Sequence, residues 1–284
     1  RAARNQLRAL RDRQRAARDR HREVLEARQD LLAGRARGHL TNPKTSKSPN
    51  SPTLTGGNAG TNSNWIRTVL GTSFSEHTFC TFRNQNVSVL GGVVSVSYPR
   101  GSSAPSAGAP YGGAQVCAPF ASGPKTDATL TYEVRIPVGF QFVQGGKMPG
   151  LYGGVEPFSG GRHNSAGWSA RLMWRSGGRG EIYGYISTSS GYGDSWGRGN
   201  FVWTADGRWH TVSEHVHLNS PGHSDGWISL AYDGATAIIQ TGLAITSTGV
   251  PINGLFFSTF FGGHGPAWAS PVDQHIDFTG FRVS

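Results

Sequence analysis

Beyond residue 64 this chain shows no sustained helical spacing of apolar residues. Short runs that alternate apolar and polar are cut again and again by Gly, Pro, Asn or Asp. Alternation with period two sends successive side chains to opposite faces of a strand, and the punctuating residues supply the dihedrals of turns. Strands are expected at Trp65–Leu70, Thr78–Arg83, Val87–Tyr98, Ala128–Pro137 and Gly139–Val143, and further on at His210–Leu218, Trp227–Tyr232, Ala237–Thr241, Leu255–Phe261 and Ile276–Val283. Many short strands with nothing helical between them predict an all-β, antiparallel two-sheet sandwich. The 41 glycines, the sparse charge (15%) and the 11% of aromatic residues suit such a turn-rich fold with a substantial core. No apolar run approaches the roughly 20 residues that span a bilayer.

The most informative stretch runs from Gly145 to Tyr185. From Trp168 to Arg175, Trp168, Ala170, Leu172 and Trp174 fall on one side and Ser169, Arg171, Met173 and Arg175 on the other. After a turn over Ser176–Gly180, Ile182, Gly184 and Ile186 fall on one side and Glu181, Tyr183, Tyr185 and Ser187 on the other. The pair reads as a β-hairpin. If its turn closes symmetrically, Arg171 lies opposite Tyr185 and Met173 opposite Tyr183, so Ser169, Arg171, Tyr183 and Tyr185 share one face at spacings of about 5 Å. Arg and Tyr on a sheet face are common and often do no more than cover it. The preceding segment adds weight, because Lys147 sits in GGKMPGLYGG, where the glycines allow close backbone approach.

Charge is divided unevenly along the chain. Of the 27 Lys and Arg, 14 lie in residues 1–48 together with 5 of the 17 Asp and Glu, which leaves 13 against 12 for the remainder. The net charge of +10 therefore belongs almost wholly to the first 48 residues. Residues 1–34 lack Pro and Gly until Gly34 and place Leu10, Ala17, Val24 and Leu31 at intervals of seven, which predicts a basic α-helical arm. The companion seam positions are Leu7, Gln14, His21 and Arg28, too polar for a strong coiled coil, so the arm is expected to pack on the domain or to self-associate weakly. No aromatic residue or base-reading motif accompanies the charge, which argues against nucleic acid as a partner. Residues 35–64, rich in Gly, Ser, Thr, Asn and Pro, read as a linker, and residues 65–284 as the domain. For Cys80 and Cys117 a disulfide and a pair of buried thiols both fit. No Cys/His cluster has zinc-site spacing, and neither metal nor cofactor is expected.

GGKMPGLYGG, WSARLMWR and GEIYGYI, followed by GRGNF, LNSPG, DG and FFSTFFGGHGPAWASPVDQ, together resemble polysaccharide lyase family 14, whose members include algal-virus, molluscan and fungal enzymes acting on alginate or glucuronan. The resemblance spans roughly residues 65–284 and keeps the motifs in the family's order. It implies a β-jelly roll, an acidic polysaccharide as substrate, no cofactor, and an extracellular or virus-associated setting; no signal peptide is read in this sequence, so any signal has been removed or lies outside it. In the family a Lys, a Ser, an Arg and two Tyr carry the site. Here Lys147 fits the Lys of the GGK motif, Ser169 and Arg171 the S-x-R strand, and Tyr183 and Tyr185 the Y-x-Y strand.

Uronic-acid polymers are cleaved by β-elimination, in which a base removes the proton on C5, a cation neutralises the C6 carboxylate, and an acid protonates the departing O4. The guanidinium fork of Arg171 suits a carboxylate, and Lys147 adds positive charge. A tyrosine with its ordinary pKa of about 10 is a poor base at neutral pH, but adjacent cations favour phenolate, a condition Tyr183 and Tyr185 are expected to meet. The resemblance leaves base and acid open; Tyr185 is assigned as acid/base, Tyr183 as its partner and Ser169 as a hydrogen-bonding orienter, with Lys147 as base the alternative. Tyr152, Arg162, His163, Arg175, Arg198, His264 and Trp268 are candidates for contacts to further sugars, ordinary surface placement being the plainer reading. Two other functions compete. A glycoside hydrolase needs two carboxylates across the scissile bond, and this face offers Glu181 alone, itself more simply a salt-bridged carboxylate. A non-catalytic carbohydrate-binding or structural jelly roll is the other, and the complete Lys/Ser/Arg/Tyr/Tyr set argues against it.

Overall fold

The computed structural model describes residues 64–162 and 165–284; the basic arm expected over residues 1–34, the linker up to residue 63, and His163 lie outside the described residues. The expected antiparallel sandwich is present as two seven-stranded sheets. The front sheet is ordered β1 (Phe79–Phe82), β4 (Ala114–Pro119), β13 (Ile252–Phe261), β6 (Gly145–Gly154), β7 (Gly167–Arg175), β8 (Gly180–Tyr185) and β9 (Asp194–Trp196). The back sheet is ordered β12 (Ala235–Leu243), β11 (Gly226–Tyr232), β10 (Trp209–His217), β5 (Asp127–Arg135), β14 (Gln274–Val283), β3 (Val93–Tyr98) and β2 (Val87–Leu90). Their inner faces meet in an aromatic-rich core, where the Trp174 ring packs edge-on against Tyr98, Phe140 and Phe261. β1 is tied to β4 by a disulfide between Cys80 and Cys117.

Three local expectations are corrected. Residues 65–70 are not a strand but part of a short helix, α1 (Asn64–Leu70), because Trp65, Ile66, Val69 and Leu70 are the buried ones and that spacing is one helical face. The run expected as one strand over residues 87–98 is a hairpin, β2 and β3, folded at Gly91 and Gly92, whose φ values of 58° and 79° suit a tight two-residue connection. Residues 139–143 form no strand; Gly139 and Val143 both take positive φ, and the chain turns so that Phe140 enters the core. β6, whose GGKMPGLYGG segment was not among the expected strands, lies inside the front sheet. A Cβ at Gly146 would stand 2.0 Å from the Trp174 ring and one at Gly153 2.1 Å from the Trp168 ring, so the large neighbours occupy the space that side chains on β6 would fill.

Candidate active site

The β7–β8 hairpin pairs Ser169 with Tyr185, Arg171 with Tyr183 and Met173 with Glu181. The expected register differs by two residues, because the turn closes tightly at Ser176–Gly178, with Gly177 and Gly178 at φ 71° and 76° and the Arg175 amide bonded to the Arg179 carbonyl. A shift of two preserves the face of every side chain. Ser169, Arg171, Tyr183 and Tyr185 therefore lie together on the outer face of the front sheet, while Trp168, Ala170, Leu172, Trp174 and Ile182 enter the core.

Lys147 reaches the same face from β6. It pairs with Met173, and its Nζ lies 2.7 Å from Met173 Sδ and 3.5 Å from the centre of the Tyr183 ring. β6 carries a bulge, since Met148 pairs with Leu172 but Leu151 already pairs with Ala170. At the bulge Gly150 passes so close to β7 that a Cβ there would stand 2.7 Å from the Arg171 Cα, which is why a side chain is excluded.

None of the five residues is more than 9% exposed. Arg171 is 1% exposed; its Nη1 donates to Ser258 Oγ at 3.1 Å, its guanidinium lies 4.5 Å from the Phe256 ring centre, and its Nε has no hydrogen-bond partner among the described residues. No carboxylate pairs with it among the described residues. Burial pushes its pKa down to about 10, against the pull of Tyr185 and Tyr183. The Tyr183 and Tyr185 rings meet edge to face at 5.6 Å. Burial, and then the neighbouring Tyr185, hold the Tyr183 hydroxyl well above the ordinary tyrosine range, outweighing Arg175 and Arg171. The expectation that adjacent cations make Tyr183 a ready phenolate is corrected, because desolvation is the larger effect. Ser169 Oγ donates to the Phe158 carbonyl at 2.6 Å, which fixes the β6–β7 connection so that Phe158 packs on Met173, Tyr183 and Tyr185.

Glu181, on the same face, is fully buried between Arg175 at 2.6 Å and Arg198 at 2.5 Å, and those cations hold its carboxyl below the usual range in spite of burial. Arg175 and Arg198 are thus engaged as counter-ions of Glu181. Tyr152 is 1% exposed and packs beside Cys117, Phe256 and Phe79. Arg162 is exposed and pairs with Glu156 at 3.4 Å. His264 is exposed and shares a hydrogen bond with Ser106 at 2.7 Å, and Trp268 is half-buried, its ring lying over Gly263. Sequence reasoning missed Phe256, Ser258 and Phe158. The first two were legible in FFSTFF, where Phe256 and Ser258 alternate with core-facing Phe257; Phe158 gave no signal, because its place depends on a loop. Among the described residues no group of three or more His, Cys, Asp or Glu is arranged to hold a metal ion.

The sequence pattern of the family described as Polysaccharide lyase 14 matches residues 87–281. Among solved structures, the PL-14 alginate lyase from Aplysia kurodai superposes with a TM-score of 0.68 at 30% identity, over 78% of this chain and 95% of that one. An alginate lyase from Chlorella virus superposes with a TM-score of 0.61 at 24% identity, over 72% of this chain and 88% of that one. No curated protein matches.

Proposed function

The chain belongs to polysaccharide lyase family 14, and from that premise we propose that it cleaves uronic-acid polymers by β-elimination on the outer face of β6, β7 and β8. The observation that carries the reading is Arg171, a buried cation with no carboxylate paired to it among the described residues, flanked by two tyrosines and a lysine. A desolvated guanidinium lacking an anion is a receptor for one, and a C6 carboxylate paired with it would no longer repel the charge that builds on C5. In the elimination the C5–H bond breaks to a base, the electron pair forms the C4–C5 double bond, the C4–O4 bond breaks, and O4 takes a proton from an acid. Tyr183, which holds its proton tightly, suits the acid. Tyr185 is retained as the acid/base partner, with neutral Lys147 the alternative base. Ser169 orients the Phe158 loop rather than the sugar.

The substrate class is polyuronate, alginate being what the two relatives act on by name, and such polymers are met outside cells, so an extracellular or virus-associated setting is proposed with it. The hydrolase reading is disfavoured by Glu181, whose two oxygens are taken by Arg175 and Arg198. Incubation with alginate and with polyglucuronate tests the proposal: absorbance from an unsaturated product end is expected. New reducing ends without that absorbance would make the protein a hydrolase, and binding without either would make it a carbohydrate-binding module.

A further inference from the structure

Among the described residues three carboxylates are buried, and two have cations: Glu181 has Arg175 and Arg198, and Asp277 has Arg135. The third, Glu214, has none. It stands on the inner face of β10 between Val212 and Val216, fully buried in the back sheet. Its Oε2 reaches across the sandwich to accept the Leu151 amide of β6 at 2.9 Å, and its Oε1 has no hydrogen-bond partner among the described residues. Burial, opposed only in part by the Leu151 amide, raises its carboxyl well above the usual range. A second polar group makes the same crossing. Tyr132, on β5 opposite Val212, donates its hydroxyl to the Pro149 carbonyl at 3.2 Å. Polar atoms left incompletely satisfied in a core reduce stability, and hydrophobic side chains of similar size would avoid that loss.

Both bonds land on the bulge of β6. In a regular strand Lys147 and Leu151 would share a face and Tyr152 would take the other, since side chains alternate. In this protein Lys147 and Tyr152 are both on the outer face while Met148 and Leu151 are both in the core. The extra residue at Pro149–Gly150 reverses the alternation, and the ladder to β13 is irregular at the same place. With the strand pairing interrupted, the Leu151 amide and the Pro149 carbonyl take their partners from the opposite sheet. We infer that Glu214, together with Tyr132, is a positioning residue for the lyase reaction, pinning the β6 bulge from behind and so fixing how Lys147 stands over Tyr183. The kinetic part of this inference rests on the lyase reading; the geometric part does not.

The test uses the full chain with lysine labelled at Cε. Lys147 Nζ lies 3.5 Å from the Tyr183 ring centre, so its Cε protons should resonate upfield through the ring current, the signal being assigned by its loss in Lys147→Arg. Glu214→Gln keeps an acceptor for the Leu151 amide and should retain both the upfield signal and kcat. Glu214→Leu removes the acceptor at similar volume; the upfield signal should collapse and kcat should fall by about 10²-fold, the scale of a displacement near 1 Å, with KM changed far less. A folded Glu214→Leu protein with the wild-type signal and wild-type kcat would overturn the inference, as would a Glu214→Gln protein as impaired as Glu214→Leu. If Glu214→Leu does not fold, Tyr132→Phe decides, since it removes only the bond to Pro149; an unchanged signal and kcat there would overturn the inference. If the wild type cleaves no polyuronate, the lyase reading fails while the resonance still reports on the bulge.

Discussion

Arg171 is a charge that the fold buries without an anionic partner among the described residues, and that has opposite consequences for stability and activity. Arg171→Met should abolish product absorbance while leaving the melting temperature unchanged or raised, because an uncompensated buried cation is replaced by an apolar chain of similar length; a large fall in melting temperature with activity retained would reverse the assignment. Tyr185→Phe should lose about 10²–10⁴-fold in kcat with the circular dichroism spectrum unchanged, as expected for removal of a proton-transfer group. Lys147→Ala should also be strongly impaired. Activity should rise with pH into the alkaline range, since the base, whether Tyr185 or Lys147, must first lose a proton, and Tyr183, held above the ordinary tyrosine range, keeps its own as the base ionises. A rate profile that peaks in acid would contradict both bases. The shared face of Ser169, Arg171, Tyr183 and Tyr185 was legible because period two fixes faces without knowledge of register, whereas Lys147 entered only through the GGK motif of the family resemblance. Their burial was not legible, and it is burial that reverses the expected effect of the cations on Tyr183.

At the scale of elements, the strands read most easily were those with one polar face, such as β10 with its alternating burial. β6 was unreadable because its glycines are set by Trp168 and Trp174 on its neighbour β7, so the reason for its composition lies elsewhere in the sequence. The helix α1 was read as a strand because its few apolar residues fit two periods, and only packing against the core chooses between them. The disulfide, left open by the spacing of Cys80 and Cys117, links residues 37 apart. Its loss in a Cys80→Ser/Cys117→Ser variant should destabilise the domain by about 3–4 kcal/mol on the loop-entropy argument, read as a lower denaturant midpoint. In the back sheet, His210 lies between Asp233 at 2.6 Å and Asp206 at 3.0 Å. Burial alone would lower its pKa, but these two bonds outweigh it and the pKa is raised. Its stabilisation is therefore complete below the unfolded-state value of about 6.5 and is lost as pH rises through the raised folded-state value. Thermal melts across that window should show a fall in the wild type that His210→Gln flattens.

For the whole molecule, the near-neutral domain contains every candidate catalytic residue and the basic arm contains none. Removing residues 1–48 should leave kcat on short oligouronates within a few-fold of the full chain, while retention on a polyanionic matrix, if the arm acts by charge, should be lost both on truncation and in salt that screens beyond about 8–10 Å. A larger mass by light scattering that persists in salt would point to self-association along Leu10, Ala17, Val24 and Leu31 instead. The ends of the two sheets differ in a way that bears on how copies of the protein meet. The front sheet stops at β1, four residues long and covalently held, and at β9, three residues long, so it offers scarcely any open backbone for another chain to pair with. The back sheet ends in the nine-residue β12, where Ile239 is 65% exposed. Edge-to-edge aggregation of this domain would therefore begin at β12, and a crowded or concentrated preparation would bury its back sheet first while the front-sheet face proposed to bind polymer stayed open.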